Sequence, residues 1–264
     1  MSLVEHGIAW RYVPAGVFTM GADEGDRDEG PPRRVFVSAF WAADVALTET
    51  QRRALTALAW PTAAEAPTPS NEQVFLRGQA VRIQRVYSLR NGPAGRALDL
   101  ALVALGWEET LDLCNAASLR LDGCRYRLPT EAEWEKAARG GLARQRYPWG
   151  DDAPTELRAD FERLNRESLC DPRQFPPNGY GLHAMAGSVW EWCLDWYDAE
   201  AYAEGPTADP RGPADGRVKV LRGGSWADCE AALRVSFRWA LAVNGAILSP
   251  CVGARLVRVP RSVP

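Results

Sequence analysis

A chain of 264 residues with 46% hydrophobic and 25% charged side chains has the make-up of a globular protein, and its length allows one large irregular domain or two small ones. A formal net charge of −3 gives no electrostatic footprint for nucleic acid, and no apolar run approaches the length that crosses a bilayer. Two histidines, His6 and His183, exclude a zinc or iron centre built on clustered imidazoles.

The opening MSLVEHGIAWRYVPAG has no basic stretch leading into an apolar one, so no secretion signal is read and a cytoplasmic location is expected. Residues 10–20 read as a strand, a turn at Pro14–Gly16 and a second short strand. The charged stretch ADEGDRDEGPPRR then forms an exposed loop, and the alternation in VFVSAFW at 35–41 predicts a further strand. Thr48 stands three residues before Gln51, the spacing of a capping box, and starts a helix. Leu55, Leu58 and Ala59 supply its apolar face and Pro61 ends it. Residues 61–80 read as a surface connection, within a stretch at about 61–100 expected to be a surface insertion. A second helix is predicted over 107–121, with Leu111, Cys114 and Ser118 on one side and Gly123 as its stop.

The strongest local signal is RLPTEAEWEKAARGG at 127–141. Thr130 caps, Glu133 completes the box, Trp134, Ala137 and Ala138 face inward, and Gly140 terminates the helix. From 142 onward the chain is rich in Gly and Pro, with short β-like stretches and no convincing long helix. Eleven Trp imply a loop-rich core pinned by indole hydrogen bonds. Six cysteines (Cys114, Cys124, Cys170, Cys193, Cys229 and Cys251) without a CxxC pair are expected to be reduced and buried.

Several of these segments resemble, in order and spacing, the formylglycine-generating enzyme (sulfatase-modifying factor) family. They are VPAGVFTMGADEGDRDEGPPRRVFVSAFW at 13–41, RLPTEAEWEKAARGG at 127–141, YPWGD at 147–151, NGYGLHAMAGSVWEWCLDWY at 178–197, VLRGGSW at 220–226 and GARLVR at 253–258. The resemblance spans nearly the whole chain and implies one irregular α+β domain over 1–264 with a C-type-lectin-like fold. Read on their own, the same motifs build structure. Glu191, between two Trp, is a carboxylate that must be paired if buried, and Arg222 and Arg255 are candidate partners. Gly223–Gly224 mark a bulge or tight bend.

Members of the family that oxidise a substrate cysteine hold Cu(I) between two thiolates shortly after the RGGS motif, and soft sulfur is what Cu(I) selects. Aligned from RGGS, those two places fall on Asp228 and Leu233, while Cys229 is one position off. The resemblance therefore implies a scaffold without its copper chemistry, so no catalytic residue, no metal ligand and no cofactor are expected. The alternative is a copper-dependent formylglycine-generating oxidase acting on protein cysteine through Cys229 and Cys251. The iron-dependent sulfoxide synthases of similar fold need histidines and an added helical domain that this chain lacks. The family's calcium sites also look eroded. Ala184 replaces an oxygen-bearing side chain, which leaves Glu191 and the carbonyls of Gly187 and Val189, with Asp160 retaining part of a second site.

Between RGGSW and GAR runs ADCEAALRVSFRWALAVNGAILSPCV, with large apolar residues including Ile247 spread along it. In a lectin-like fold this stretch, within a C-terminal region of about 220–258, forms a ligand face. The expected binding residues are Ala227, Asp228, Glu230, Val235, Phe237, Trp239, Leu241, Val243, Asn244 and Leu248. The same alternation would arise if the apolar members filled the core, and both readings stay open. Fixed ends around an idiosyncratic middle are similar to the variable proteins of diversity-generating retroelements, in which template adenines are rewritten. A mutated Asn codon yields Phe, Leu, Val, Ala, Asp or Ser, whereas Trp239 requires another template codon. The expectation is a non-catalytic protein that binds a protein or other macromolecular ligand through this face, without nucleic acid or membrane.

Overall fold

The computed structural model describes residues 1–61, 100–101, 105–162, 169–243 and 249–261 in full, and 73–76 and 79–82 through their backbone. In chain order come strands β1 (Ser2–Glu5), β2 (Ile8–Val13), β3 (Gly16–Met20), β4 (Arg33–Val37) and β5 (Phe40–Ala43). Helix α1 (Glu49–Ala59), the strands β6 (Gln73–Leu76) and β7 (Gln79–Arg82), and helix α2 (Trp107–Ser118) follow. Next are β8 (Cys124–Arg127), helix α3 (Glu131–Arg139), β9 (Trp190–Trp196) and the single turn α4 (Ala201–Glu204). The chain closes with β10 (Lys219–Arg222), β11 (Trp239–Leu241), β12 (Val252–Gly253) and β13 (Val257–Pro260). This is the α+β, C-type-lectin-like architecture expected. No helix among the described residues is long and apolar enough to cross a membrane.

The last strand is inserted among the first ones. A five-stranded sheet has the order β1-β2-β5-β13-β8, so both ends of the chain share one hydrogen-bonded layer. A second sheet, β11-β10-β9-β12, carries the C-terminal segment. Packed around the first sheet, α1 and α2 close a core of Ile8, Trp10, Leu55, Cys114, Tyr126 and Leu256. Each fully buried aliphatic side chain there contributes on the order of 1.5–3 kcal/mol relative to exposure. A second core gathers Trp134 and Ala138 of α3 with Val35, Phe40, Val220 and Val257.

Helix starts follow the predicted caps. Thr48 Oγ1 accepts the Gln51 N–H at 3.3 Å while Gln51 Oε1 accepts the Thr48 N–H at 3.0 Å. Thr130 and Glu133 repeat the arrangement, and Glu133 additionally takes both ends of the Arg127 guanidinium at 2.6 and 2.7 Å. Gly140 ends α3 in the left-handed region at φ 58°, where a Cβ would stand 2.9 Å from the Asn178 side chain. Indole N–H groups pin loops as expected: Trp107 donates to Cys193 O at 2.9 Å and Trp192 to Leu105 O at 2.7 Å. Among the cysteines, Cys114, Cys124 and Cys193 are buried, whereas Cys229 is exposed and Cys170 and Cys251 are half-buried.

The two strands expected within 10–20 are present as β2 and β3; β2 joins β1 and β5, and β3 joins β4. Two local expectations are corrected. The predicted strand at 35–41 is two strands in different sheets, parted at Ser38–Ala39. Helix α2 stops at Ser118 rather than 121, and Gly123 (φ 66°) serves the turn into β8. Within the expected insertion, β6 and β7 form an antiparallel ladder, and most of the remaining stretch lies outside the described residues.

Candidate functional site

The C-terminal segment is anchored from beneath by a buried ionic network on α3. Arg238 donates to Glu131 at 2.7 and 3.0 Å, and to the carbonyls of Asp28 and Asp198 at 2.9 and 3.1 Å. Arg222 reaches Glu135 at 2.6 Å and the carbonyls of Val235 and Ser236 at 2.7 and 2.8 Å. Arg139 takes the other oxygen of Glu135 at 2.7 Å. Burial alone would raise the Glu131 carboxyl, but Arg238 and Arg222 outweigh it and hold the group below its ordinary value. The expected partnership of Glu191 with Arg255 is present, at 2.8 Å, and the Trp134 indole donates to the same carboxylate at 2.6 Å. Arg222, the other candidate partner, serves the carboxylates of α3 instead.

On this base the segment divides into inward and outward residues. Val235, expected on the face, is 1% exposed and packs in the core with Trp134 and Val220. Its neighbours Ser236 and Arg238 are buried as well, so this stretch is part of the foundation. Trp239 is 54% exposed at the start of β11, the edge strand of its sheet. Behind it lies Trp190, with ring centroids 6.4 Å from Trp239 and 5.9 Å from Phe237. Arg234 stacks over Phe237 at 5.2 Å and pairs with Glu29. Leu241 and Val243 continue the strip half-buried. Asn244, Ile247 and Leu248 lie outside the described residues.

The preceding turn is polar. Asp228 accepts the Ser225 N–H at 3.0 Å and the Ser225 hydroxyl, and Ala227 donates its N–H to that hydroxyl at 3.3 Å. Glu230 is exposed and accepts the Tyr147 hydroxyl at 2.7 Å. Tyr147 stacks on Trp149 with centroids 5.3 Å apart. Trp190 escaped the sequence reading as a site residue, although its parity with Trp192 in β9 marks one face of the strand. Arg234 and Arg238 were likewise hidden among apolar neighbours.

At the two places aligned with copper thiolates, Asp228 is tied into the Ser225 turn. Leu233 is 0% exposed and packed with Tyr147, Ala159 and Ala186. Neither is a ligand Cu(I) selects. Burial pushes the Cys251 thiol up despite hydrogen bonds with Ser225 and Ser249, which disfavours the thiolate a metal would need. Both oxygens of Glu191 are engaged by Arg255, with Trp134 also donating to one of them, in the segment where the family's calcium would sit. Among the described residues no group of three or more His, Cys, Asp or Glu is placed to hold a metal ion.

Residues 10–260 match the sulfatase-modifying factor enzyme 1-like domain. The formylglycine-generating enzyme of Streptomyces coelicolor is 49% identical over 112 residues, covering 38% of this chain and 36% of that enzyme. The one from Thermomonospora curvata is 34% identical over 252 residues, covering 81% of each. Matched stretches thus range from about a third to four-fifths of these relatives' lengths. Among solved structures, Treponema denticola variable protein 1 has a TM-score of 0.72 at 21% identity, covering 97% of this chain and 98% of its own. PvdO from Pseudomonas aeruginosa has a TM-score of 0.75 at 20% identity, covering 98% and 97%. At such identities the two structures speak for the fold. The sequence matches go further, and the chain belongs to the sulfatase-modifying factor enzyme 1-like, or formylglycine-generating enzyme, family.

Proposed function

We propose that this chain is a non-catalytic, cytoplasmic binding protein that presents a recognition face, within about 227–251, on a lectin-like scaffold. The observation that carries the reading is Trp239, a large aromatic held half in solvent on an edge strand and backed by Trp190. Exposed aromatics supported from behind are what binding hot spots are made of. Ala227, Asp228, Glu230, Phe237, Leu241 and Val243 are the other described residues assigned to the face, and the ligand is a protein or other macromolecule. Copper and calcium are absent from the reading because Asp228, Leu233 and the engaged Glu191 do not suit them.

The finer proposal is that a retroelement diversifies this segment. Its support is the division just described, in which the exposed Trp239 follows the buried Val235, Ser236 and Arg238, while Phe237 and Leu241 pack partly against the core. The structural neighbour named a variable protein supports the fold side of that idea. A near-copy of the terminal coding bases, differing at adenines beside a reverse transcriptase gene, is the expected genomic context; its absence refutes diversification. To test recognition, random peptides are selected on the immobilised chain, with Trp239→Ala as the counter-screen. Binders should lose at least ten-fold in affinity on the variant, and binders indifferent to it would refute the face.

The second reading is a copper-dependent oxidase of protein cysteine using Cys229 and Cys251, favoured by the 34% identity to the Thermomonospora enzyme. It predicts that a cysteine-bearing peptide incubated with the chain, Cu(I), thiol reductant and oxygen gains an aldehyde by mass spectrometry. The binding-protein reading predicts unchanged peptide.

A further inference from the structure

Away from the C-terminal face, a cavity of about 210 Å³ opens between the start of α3, the end of β9 and α4. Its floor includes Glu131, Asp195 and Tyr202, its mouth the acidic Asp198 and Glu204, and its walls the apolar Met20, Ala132 and Pro206. The floor carboxylates are not equivalent. Both oxygens of Glu131 are committed to Arg238. Asp195 is 3% exposed, and its Oδ2 accepts the Glu131 N–H at 2.8 Å. Its Oδ1 has no hydrogen-bond partner among the described residues, yet it is not sealed from solvent and opens on the cavity that Asp195 lines.

A carboxylate group as buried as Asp195 is costly to keep charged unless its open oxygen finds a donor. The cations nearby are spent elsewhere. Arg33, also in the wall, directs both terminal nitrogens to the carbonyls of Ala201, Tyr202, Gly205 and Pro206. Lys219 points its ammonium between the rings of Trp107 and Trp196, at 4.2 and 3.7 Å, and donates to Leu194 O. Metal ions are a poor match, since among the described residues no three ligating side chains converge and much of the wall is hydrocarbon. A donor-rich cation on an alkyl stem satisfies both halves of the cavity.

We infer that this cavity binds an alkylammonium or alkylguanidinium group, with Asp195 Oδ1 accepting its N–H and the apolar wall covering its stem. The source is a free small amine or a Lys or Arg side chain of a partner. Burial and the Glu131 charge push Asp195 up to about 8. The charged groups facing it are Glu131 and Glu133 of α3, Arg127 of β8 and Lys219 of β10. Cation and proton therefore compete for the same carboxylate. Affinity rises roughly ten-fold per pH unit below about 8 and levels off above.

The test uses the full chain with labelled Met and Ala methyls, titrated with methylguanidinium chloride and n-butylammonium chloride against sodium chloride of equal ionic strength. Saturable shifts at Met20 and Ala132, tighter by at least about ten-fold at pH 8.5 than at pH 6.5, are expected. Asp195→Asn abolishes the binding. Glu204→Gln, an exposed change at the mouth, weakens it by about two- to five-fold and decides the matter should the first variant fail to fold. A blocked peptide with a single Arg distinguishes the sources. Binding of the peptide assigns a partner's side chain, and entry of the small cations alone assigns a free amine. No saturable shift, shifts equal in sodium chloride, or binding indifferent to pH overturns the inference.

Discussion

Replacing Arg238 by Met tests whether the buried network, rather than the outward residues, holds the C-terminal segment in place. The guanidinium is fully buried, takes both oxygens of Glu131, donates to two loop carbonyls and packs over the rings of Tyr197 and Tyr202 at 4.9 and 4.4 Å. Met preserves most of the stem and removes every donor. Breaking a buried pair from one side costs about 3–5 kcal/mol, because the remaining charge is stranded. Glu131 keeps Arg222 at 3.4 Å and the Tyr202 hydroxyl at 3.3 Å, which places the expected loss near the lower end, about 3 kcal/mol.

The loss has a pH signature. Glu131 titrates below its unfolded value, so its contribution is complete above about pH 4.5 and disappears as pH falls through the folded value. Without Arg238, burial dominates and the carboxyl titrates higher, so the variant's deficit is largest at pH 7.5 and shrinks toward pH 5. Urea unfolding followed by Trp fluorescence reads both quantities, and Glu131→Gln/Arg238→Met should recover part of the loss. A deficit below about 1 kcal/mol at pH 7.5, or one that does not change with pH, would refute the reasoning.

Asp195→Asn should remove an opposite slope. Because its folded value, about 8, exceeds that of the unfolded chain, the native state binds the extra proton and loses stability as pH rises from about 4 to 8. The variant's melting temperature, relative to the parent's, should therefore increase with pH over that window. Gly224→Ala should cost about 1–3 kcal/mol in urea unfolding, since φ is 70° and a Cβ would stand 2.8 Å from Ala232 O. Trp239→Ala, by contrast, should leave stability within about 1 kcal/mol while removing ligand recognition; a larger destabilisation would make Trp239 a core residue.

Local chemistry was legible wherever cause and effect lie within a few residues. Thr130, Glu133 and Gly140 announced α3 at both ends, and Thr48 with Gln51 announced the start of α1, because caps are satisfied within one turn. Strand partners were not legible. The 10–20 stretch reads as two strands about a turn, and nothing within it records that β2 finds β5 and β3 finds β4 farther along the chain. In the C-terminal segment, apolar spacing treated Val235, Phe237 and Trp239 alike, whereas Val235 is buried, Phe237 packs against the core and Trp239 is exposed. The residues that decide inside from outside there are Arg222 and Arg238, and their partners, Glu131 and Glu135, sit on a helix about ninety residues earlier or more. Asp195 was invisible for a related reason. Its environment comes from α3 and α4 meeting over the end of β9, and no linear pattern records that.

The central claim is that this framework lacks the paired sulfurs of a copper oxidase. A Cu(I) titration of the reduced full chain against a competing chromogenic chelator tests it most directly. The account predicts no stoichiometric transfer of copper to the protein. Tight one-to-one binding that disappears in both Cys229→Ser and Cys251→Ser would contradict it.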